Sequence, residues 1–266
     1  MRILRFQYKS DKPAWGKLQG ETVRVLSAPP FGRISLSKKS FPLAKVKLLA
    51  PVVPSKVILV GLNYKDHARE LKMRIPREPV LFLKPPTALI GHGQPIVYPQ
   101  GVKRLDYEAE LALVIKKRAH AIALAKAKDY ILGYTCLNDV TARDLQKKDG
   151  QWTRAKSFDT FCPIGPWIET RLDPARQRVS SYLNGRQKQD ASTADLIFKA
   201  GFLVSFISRV MTLEPGDVIS TGTPAGVGPM KVGDTIKVRV DGIGCISNKV
   251  VRGLPAGRQV ARSRNG

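Results

Sequence analysis

A chain of 266 residues and 29.3 kDa, 43% hydrophobic and 25% charged, can bury one large core, or one core with a small appended lobe, and this balance excludes a disordered or fibrous chain. Its 45 Lys and Arg against 21 Asp and Glu give a formal charge of +24, but the positive residues are spread through nearly every segment without interleaved aromatics, so nucleic acid is not the expected partner. No apolar run approaches the roughly 20 residues of a bilayer span, the amino terminus carries no secretory signal, and Cys136, Cys162 and Cys245 have neither disulfide nor zinc spacing, so a cytoplasmic protein with reduced, buried thiols and no membrane contact is expected.

In chain order, residues 1–54 read as a small β-rich lobe: Arg2 to Tyr8 and Thr22 to Leu26 alternate, Gly16 to Gly20 turns, and Pro51-Val-Val-Pro54 is a linker. Residues 55–251 hold the chemical features. A strand from Val57 to Val60 runs into a helix expected through Leu71 and capped by Asn63 or Asp66, with His67 and Glu70 at i and i+3. A carboxylate beside an imidazole fixes its tautomer and stabilises its protonated form, as a general base requires; an ordinary surface pair is the alternative. Met73 to Pro79, polar and Pro-broken, suits a mobile lid, and the strand Val80 to Lys84 stops at Pro85-Pro86. His92, between two glycines, reads as a loop residue, and His120 as a surface one.

Asp106 to Ile115 alternates as one strand, placing Asp106, Glu108 and Glu110 on a common face with the two glutamates roughly 7 Å apart. Anions fixed in this way repel unless a cation sits between them, although a solvated strand face has the same pattern. The apolar strand Tyr130 to Leu137 then gives way at Asn138-Asp139 to a helix over Thr141 to Lys148, closed by Gly150. Asp139 can supply a third carboxylate there or merely cap, and Thr141 and Asp144 have capping-box spacing. Three carboxylates with no nearby Cys or His suit a hard divalent cation, magnesium with manganese or calcium as alternatives, rather than zinc. Lys156 and Arg143 are the candidate cations that would let such a centre accept an anion; plain surface salt bridges are the other reading.

Further on, Asn184-Gly185 is the type I′ turn of a hairpin over Val179 to Gln187. Ser192 or Thr193 is expected to cap a long helix whose core face is Leu196, Phe198, Phe202, Leu203, Phe206, Ile207 and Val210. The loop Gly222 to Gly228 can hold a carboxylate through its amides and the Thr223 hydroxyl, but it is no P-loop. Residues 252–266 read as a disordered basic tail.

From about Val57 to Val251 the chain resembles the fumarylacetoacetate hydrolase family. The motifs that carry the resemblance are Gly61-Leu-Asn-Tyr64-x-x-His67-Ala-x-Glu70, Asp106-Tyr-Glu108-Ala-Glu110-Leu, Asn138-Asp139-Val-Thr-Ala-Arg143-Asp-Leu-Gln, Ala155-Lys156-Ser-Phe-Asp159 and Thr221-Gly222-Thr223-Pro-x-Gly-Val-Gly228. The resemblance, to the acylpyruvate hydrolase and 2-hydroxyhepta-2,4-diene-1,7-dioate isomerase branch, implies a mainly β fold with a few helices (α+β), a mixed β-sandwich roll behind a small N-terminal lobe, and homodimers. It also implies Mg2+ on Glu108, Glu110 and Asp139, a His67 and Glu70 dyad on a lid, a catalytic Lys156, and substrate contacts from Arg143, Tyr64, Gly222 and Thr223.

Members of the family hydrolyse acylpyruvates, decarboxylate oxaloacetate or isomerise related acids, all by stabilising the enolate of a 2-oxo acid on a metal. The reaction implied first for this chain is hydrolysis of a carbon–carbon bond in a small anionic 2,4-dioxo acid, with His67 activating water and Lys156 meeting the developing oxyanion. Decarboxylation or isomerisation uses the same metal without an attacking water. A basic nucleic-acid-binding protein that keeps the fold without the chemistry is the rival from another class, and steeply salt-dependent duplex binding would mark it.

Overall fold

Apolar runs punctuated by Gly and Pro become strands, and in the computed structural model, which describes residues 1–70 and 72–253, most of them join a 12-stranded sheet. Its central strands Val57–Gly61, Ala109–Ile115, Ile131–Asn138 and Cys162–Glu169 are apolar on both faces because both faces are covered. Ile58, Val60, Leu111 and Leu113 enter one core with the helix Ala200–Val210, while Val57, Leu59, Ala112 and Val114 enter a second on the opposite face. A five-stranded sheet (Arg186–Ser192, Arg178–Leu183, Thr235–Val240, Gly244–Arg252, Ile96–Tyr98) packs on the first core through Val179, Val238, Val240 and Ile246. A three-stranded sheet joins Thr141–Ala142, Leu105–Tyr107 and Gly228–Met230. The fold is mainly β with a few helices, as the sequence indicates.

The N-terminal strands have a sub-core of their own around Leu4, Phe6 and Val23, yet they extend the large sheet: Arg2–Tyr8 pairs with Cys162–Glu169 through Arg2↔Glu169 and Ile3↔Ile168. Of the expected tail, Arg252 closes a strand and Gly253 donates to the Tyr98 carbonyl; residues 254–266 lie outside the described residues. Cys136 and Cys162 are buried, Cys245 is half-buried, and all three are free thiols.

Four local expectations are corrected. Asp106 to Ile115 is two strands, Leu105–Tyr107 and Ala109–Ile115, in different sheets, because Glu108 turns its amide to the Asn138 side chain and its carbonyl to the Asp139 amide. The helix after Asp139 begins at Arg143, not Thr141; Thr141 makes no cap, and Asp144 accepts instead from the Lys103 and Arg104 amides. The helix bearing His67 is seen over Lys65–Glu70, Leu71 lying outside the described residues, and Asn63 is no cap: its amide side chain ties the Phe198 and Thr221 backbones together. Ser192 caps a 3-10 turn at Thr193–Asp195, so the long helix starts only at Ala200. Its core face is Ala200, Leu203, Val204 and Ile207, whereas Phe198, Phe202 and Phe206 stack half-buried beside it and Val210 is exposed.

Candidate metal centre and active site

The break at Glu108 builds the site. Because the Asp139 amide donates to the Glu108 carbonyl at 2.9 Å, the first glutamate and the junction aspartate are held side by side, and Glu110 follows two residues later on the same stretch. Each of the three acids offers an oxygen within 4.8 Å of the others, and all three are buried. Asp106, on the far side of the break, does not join them. It forms a two-point ion pair with Arg104 and takes Arg143 Nε at 2.9 Å.

The three carboxylates differ in their partners. Glu108 accepts from Thr141 Oγ1 at 3.0 Å, Arg143 Nη2 at 2.5 Å and Lys156 Nζ at 3.0 Å. Burial alone would raise its pKa, but Lys156 and Arg143 outweigh burial and hold it well below the usual carboxylate range. Among the described residues no cation forms an ion pair with Glu110. Ser220 Oγ and the Gly222 amide both donate to its Oε2, and among the described residues none donates to Oε1. Burial, reinforced by the charge of Asp139, pushes its pKa up to about 8. Asp139 takes Lys156 Nζ on Oδ2. Its Oδ1 lies 2.8 Å from Lys84 Nζ, but Lys84 directs its hydrogens to the carbonyls of Val140, Lys156 and Phe161 at 2.9, 2.7 and 2.7 Å. Oδ1 is therefore buried with no hydrogen-bond donor.

Three buried carboxylates with oxygens this close together and no His or Cys among them are the donor set of a hard divalent cation, so the residues fit magnesium or manganese. The charges agree. Asp106 lies between Arg104 and Arg143, and Glu108 and Asp139 are matched by Lys84 and Lys156, so with Glu110 protonated the cations are in slight excess. Exchanging that proton for a divalent ion adds one further positive charge, which suits a carboxylate ligand.

A cavity of about 290 Å³ opens over the triad, lined also by His67, Arg143, Lys156 and Thr223. His67 is 5% exposed, and its Nδ1 lies 3.0 Å from Glu70 Oε2. Glu70 is anchored in turn by the Gly226 amide at 3.0 Å, which ties the short helix to the glycine loop. The loop thus holds two carboxylates of the chain itself, Glu110 through Gly222 and Glu70 through Gly226. Gly222 is fixed there by a φ of +91° and by the Asn63 Cβ and Val60 carbonyl, each 2.9 Å from where its own Cβ would stand.

Of the proposed substrate contacts, Arg143 and Thr223 line the cavity, whereas Tyr64 and Gly222 lie behind its wall. The Tyr64 ring is buried and its hydroxyl has no partner; burial, together with the Glu110 charge, raises its pKa. The Thr223 hydroxyl donates to the Ala109 carbonyl and accepts from Gln189 Nε2. Lys84 escaped the sequence reading. The only trace was a lysine sharing a strand face with Phe82 just before Pro85-Pro86, which is also how a strand end meets solvent.

Three clustered carboxylates, an imidazole steered by a carboxylate and the buried Lys156 meet at one cavity, the make-up of an enzyme site. The family model described as fumarylacetoacetate (FAA) hydrolase C-terminal matches residues 56–251, and one described as Rv2993c-like, N-terminal, matches residues 1–51. The chain belongs to the fumarylacetoacetate hydrolase family. It is similar to the solved 5-carboxymethyl-2-hydroxymuconate delta-isomerase of Mycobacterium smegmatis, with 46% identity and a TM-score of 0.90 over 95% of this chain and 100% of that one. Maleylpyruvate hydrolase from Sphingobium sp. SYK-6, solved with manganese (II) ion and pyruvate, is 32% identical with a TM-score of 0.79 over 96% of this chain and 100% of that one. The mitochondrial oxaloacetate tautomerase fahd2 of Xenopus laevis is 41% identical over 221 residues, 78% of this chain and 69% of that protein. Among the described residues no helix is long and apolar enough to cross a membrane.

Proposed function

We propose that the protein interconverts the enol and keto forms of a 2-oxo acid, with His67 moving the proton. The observation that carries this reading is the pairing of His67 Nδ1 with Glu70 at 3.0 Å beside the triad. A carboxylate there requires the N–H on Nδ1, which leaves Nε2 as the basic nitrogen. A magnesium or manganese ion held by Glu108, Glu110 and Asp139 would supply Lewis-acid polarisation of the 2-oxo group and a template for the neighbouring carboxylate. In the enol-to-keto direction, His67 Nε2 takes the hydroxyl proton, Glu70 steadies the imidazolium, and the same nitrogen returns a proton to carbon 3. Lys156, with two of its three hydrogens on Glu108 and Asp139, has the third for the substrate's oxygen as charge develops. The similarity to an isomerase and a tautomerase at 46% and 41% identity supports the reading.

Hydrolysis of a carbon–carbon bond in a 2,4-dioxo acid is the second reading. It is favoured by the same dyad, which would deprotonate water instead, and by the 32% identical maleylpyruvate hydrolase. One assay separates the two. With magnesium or manganese present, oxaloacetate tautomerisation is followed by loss of enol absorbance, and acetylpyruvate cleavage by the pyruvate formed. Accelerated tautomerisation that falls roughly 10²–10⁴-fold in His67→Ala is expected; cleavage of acetylpyruvate with no tautomerase activity would hand the site to the hydrolase.

A further inference from the structure

The cavity has a mixed lining. Besides the acids, His67, Lys156 and the polar side chains of Arg143, Gln146, Lys147 and Thr223, its wall is formed by Val60, Leu62, Met73, Phe82 and Trp152. Phe82 and Trp152 meet edge to face with centroids 5.1 Å apart, and Trp152 lies so close to Gly61 that a Cβ there would stand 2.9 Å from the indole. Phe82 touches the polar part of the lining as well, since Lys156 Nζ sits 4.9 Å from its ring centroid.

Of the cations beside the acids that might read a second carboxylate, Arg143 is already committed. Arg143 sends Nε to Asp106, Nη1 to Gln146 at 2.6 Å and Nη2 to Glu108, so its fork is closed. Lys147 stands exposed at the rim, where a flexible ammonium in water binds a carboxylate weakly. Five apolar side chains, with the exposed Lys147 as the only uncommitted cation among the described residues lining the cavity, select against charge beside them.

Building on the 2-oxo acid reading above, we infer that the substrate carries an apolar group at the end remote from its 2-oxo carboxylate, and that Phe82 and Trp152 select it. The preferred class is a 2-oxo acid with a medium alkyl or aryl substituent rather than a 2-oxo diacid. A series of 2,4-dioxo acids tests this under either chemistry, because each member both tautomerises and offers a cleavable bond. From methyl to pentyl, kcat/KM should rise roughly fourfold per methylene, as burial of a CH₂ gives, reaching on the order of 100-fold. An ω-carboxylated chain of equal length should fall at least tenfold below its methyl-ended counterpart.

Binding of N-alkyl oxamates, unreactive 2-oxo acid mimics, to the manganese-loaded protein is measured by calorimetry and should follow the same order. In Trp152→Gln the pentyl-to-methyl ratio should collapse several-fold. Should that variant not fold, Met73→Gln, whose side chain is half-exposed, should lower the same ratio. A flat series, or a diacid that outperforms its apolar counterpart, overturns the inference while leaving the 2-oxo acid reading standing. If no member is turned over yet the oxamates bind in the expected order, the wall is as described and the proposed reaction fails.

Discussion

Two buried aspartates are held in different ways. Asp217, just before Val218–Ser220, is fully buried and accepts from the Ser55 amide and hydroxyl, the Lys56 amide and ammonium, and the Glu214 amide. Asp139, equally buried, meets Lys84 at Oδ1 as an ion pair with no hydrogen bond, and Glu110, held at the other end of that strand by Ser220 and Gly222, takes no donor on Oε1 among the described residues. Burial of a charge by itself is no sign of function. A saturated carboxylate knits the chain together, whereas an undersupplied one is costly to the fold and makes sense where a ligand completes it.

The sharpest way to break the contrast is to neutralise one member of each pair. Asp139→Asn should lower manganese affinity more than the roughly 100-fold upper range seen for outer-shell partners, read by calorimetric titration. Asp217→Ala should leave that affinity within about twofold while costing about 3 kcal/mol of stability, a fall in Tm on the order of 5–10 °C. Comparable losses of metal affinity in both variants would dissolve the distinction. Lys84→Met probes the boundary between the two kinds of site. Three carbonyls lose their donor, each worth about 1–3 kcal/mol, so the metal-free protein should melt well below the parent, and an unchanged Tm would show that Lys84 is not the brace its bonds suggest.

The smallest effect concerns protons. With the Glu110 pKa near 8, the metal-free protein at pH 7 holds a proton there that the unfolded chain does not, so loading manganese should release about one proton at pH 7 and almost none at pH 9.5. The sign for stability follows. Between the ordinary glutamate pKa of about 4.5 and about 8 the folded state binds the extra proton, so metal-free stability falls as pH rises through that window, and Glu110→Gln should flatten the slope. No proton release at pH 7 would mean that the site is already ionised and differs less from Asp217 than its geometry indicates.

Much of the site was legible before any coordinates, and its errors are instructive. Glu108, Glu110 and Asp139 do meet, the glutamates being two residues apart and Asp139 being tied to Glu108 by its backbone amide, and His67 does face Glu70, because residues at i and i+3 on a helix are neighbours. The single strand through Asp106 was wrong because an asparagine side chain, 30 residues away, captures the Glu108 amide. The aromatic helix face was misjudged for a similar reason: periodicity locates a stripe, but packing on the large sheet chose the Leu203 and Ile207 side over Phe202 and Phe206.

The amino-acid order determined that the chain would be mainly β, that Glu108 and Glu110 would stand two residues apart, and that an imidazole would sit beside a carboxylate, since each depends on neighbours a few residues apart. Only the tertiary structure decided that the strand breaks at Glu108, that Lys84 braces the site and that Phe82 and Trp152 line its cavity. Those facts rest on partners as distant as Phe161 from Lys84, and no local periodicity encodes them.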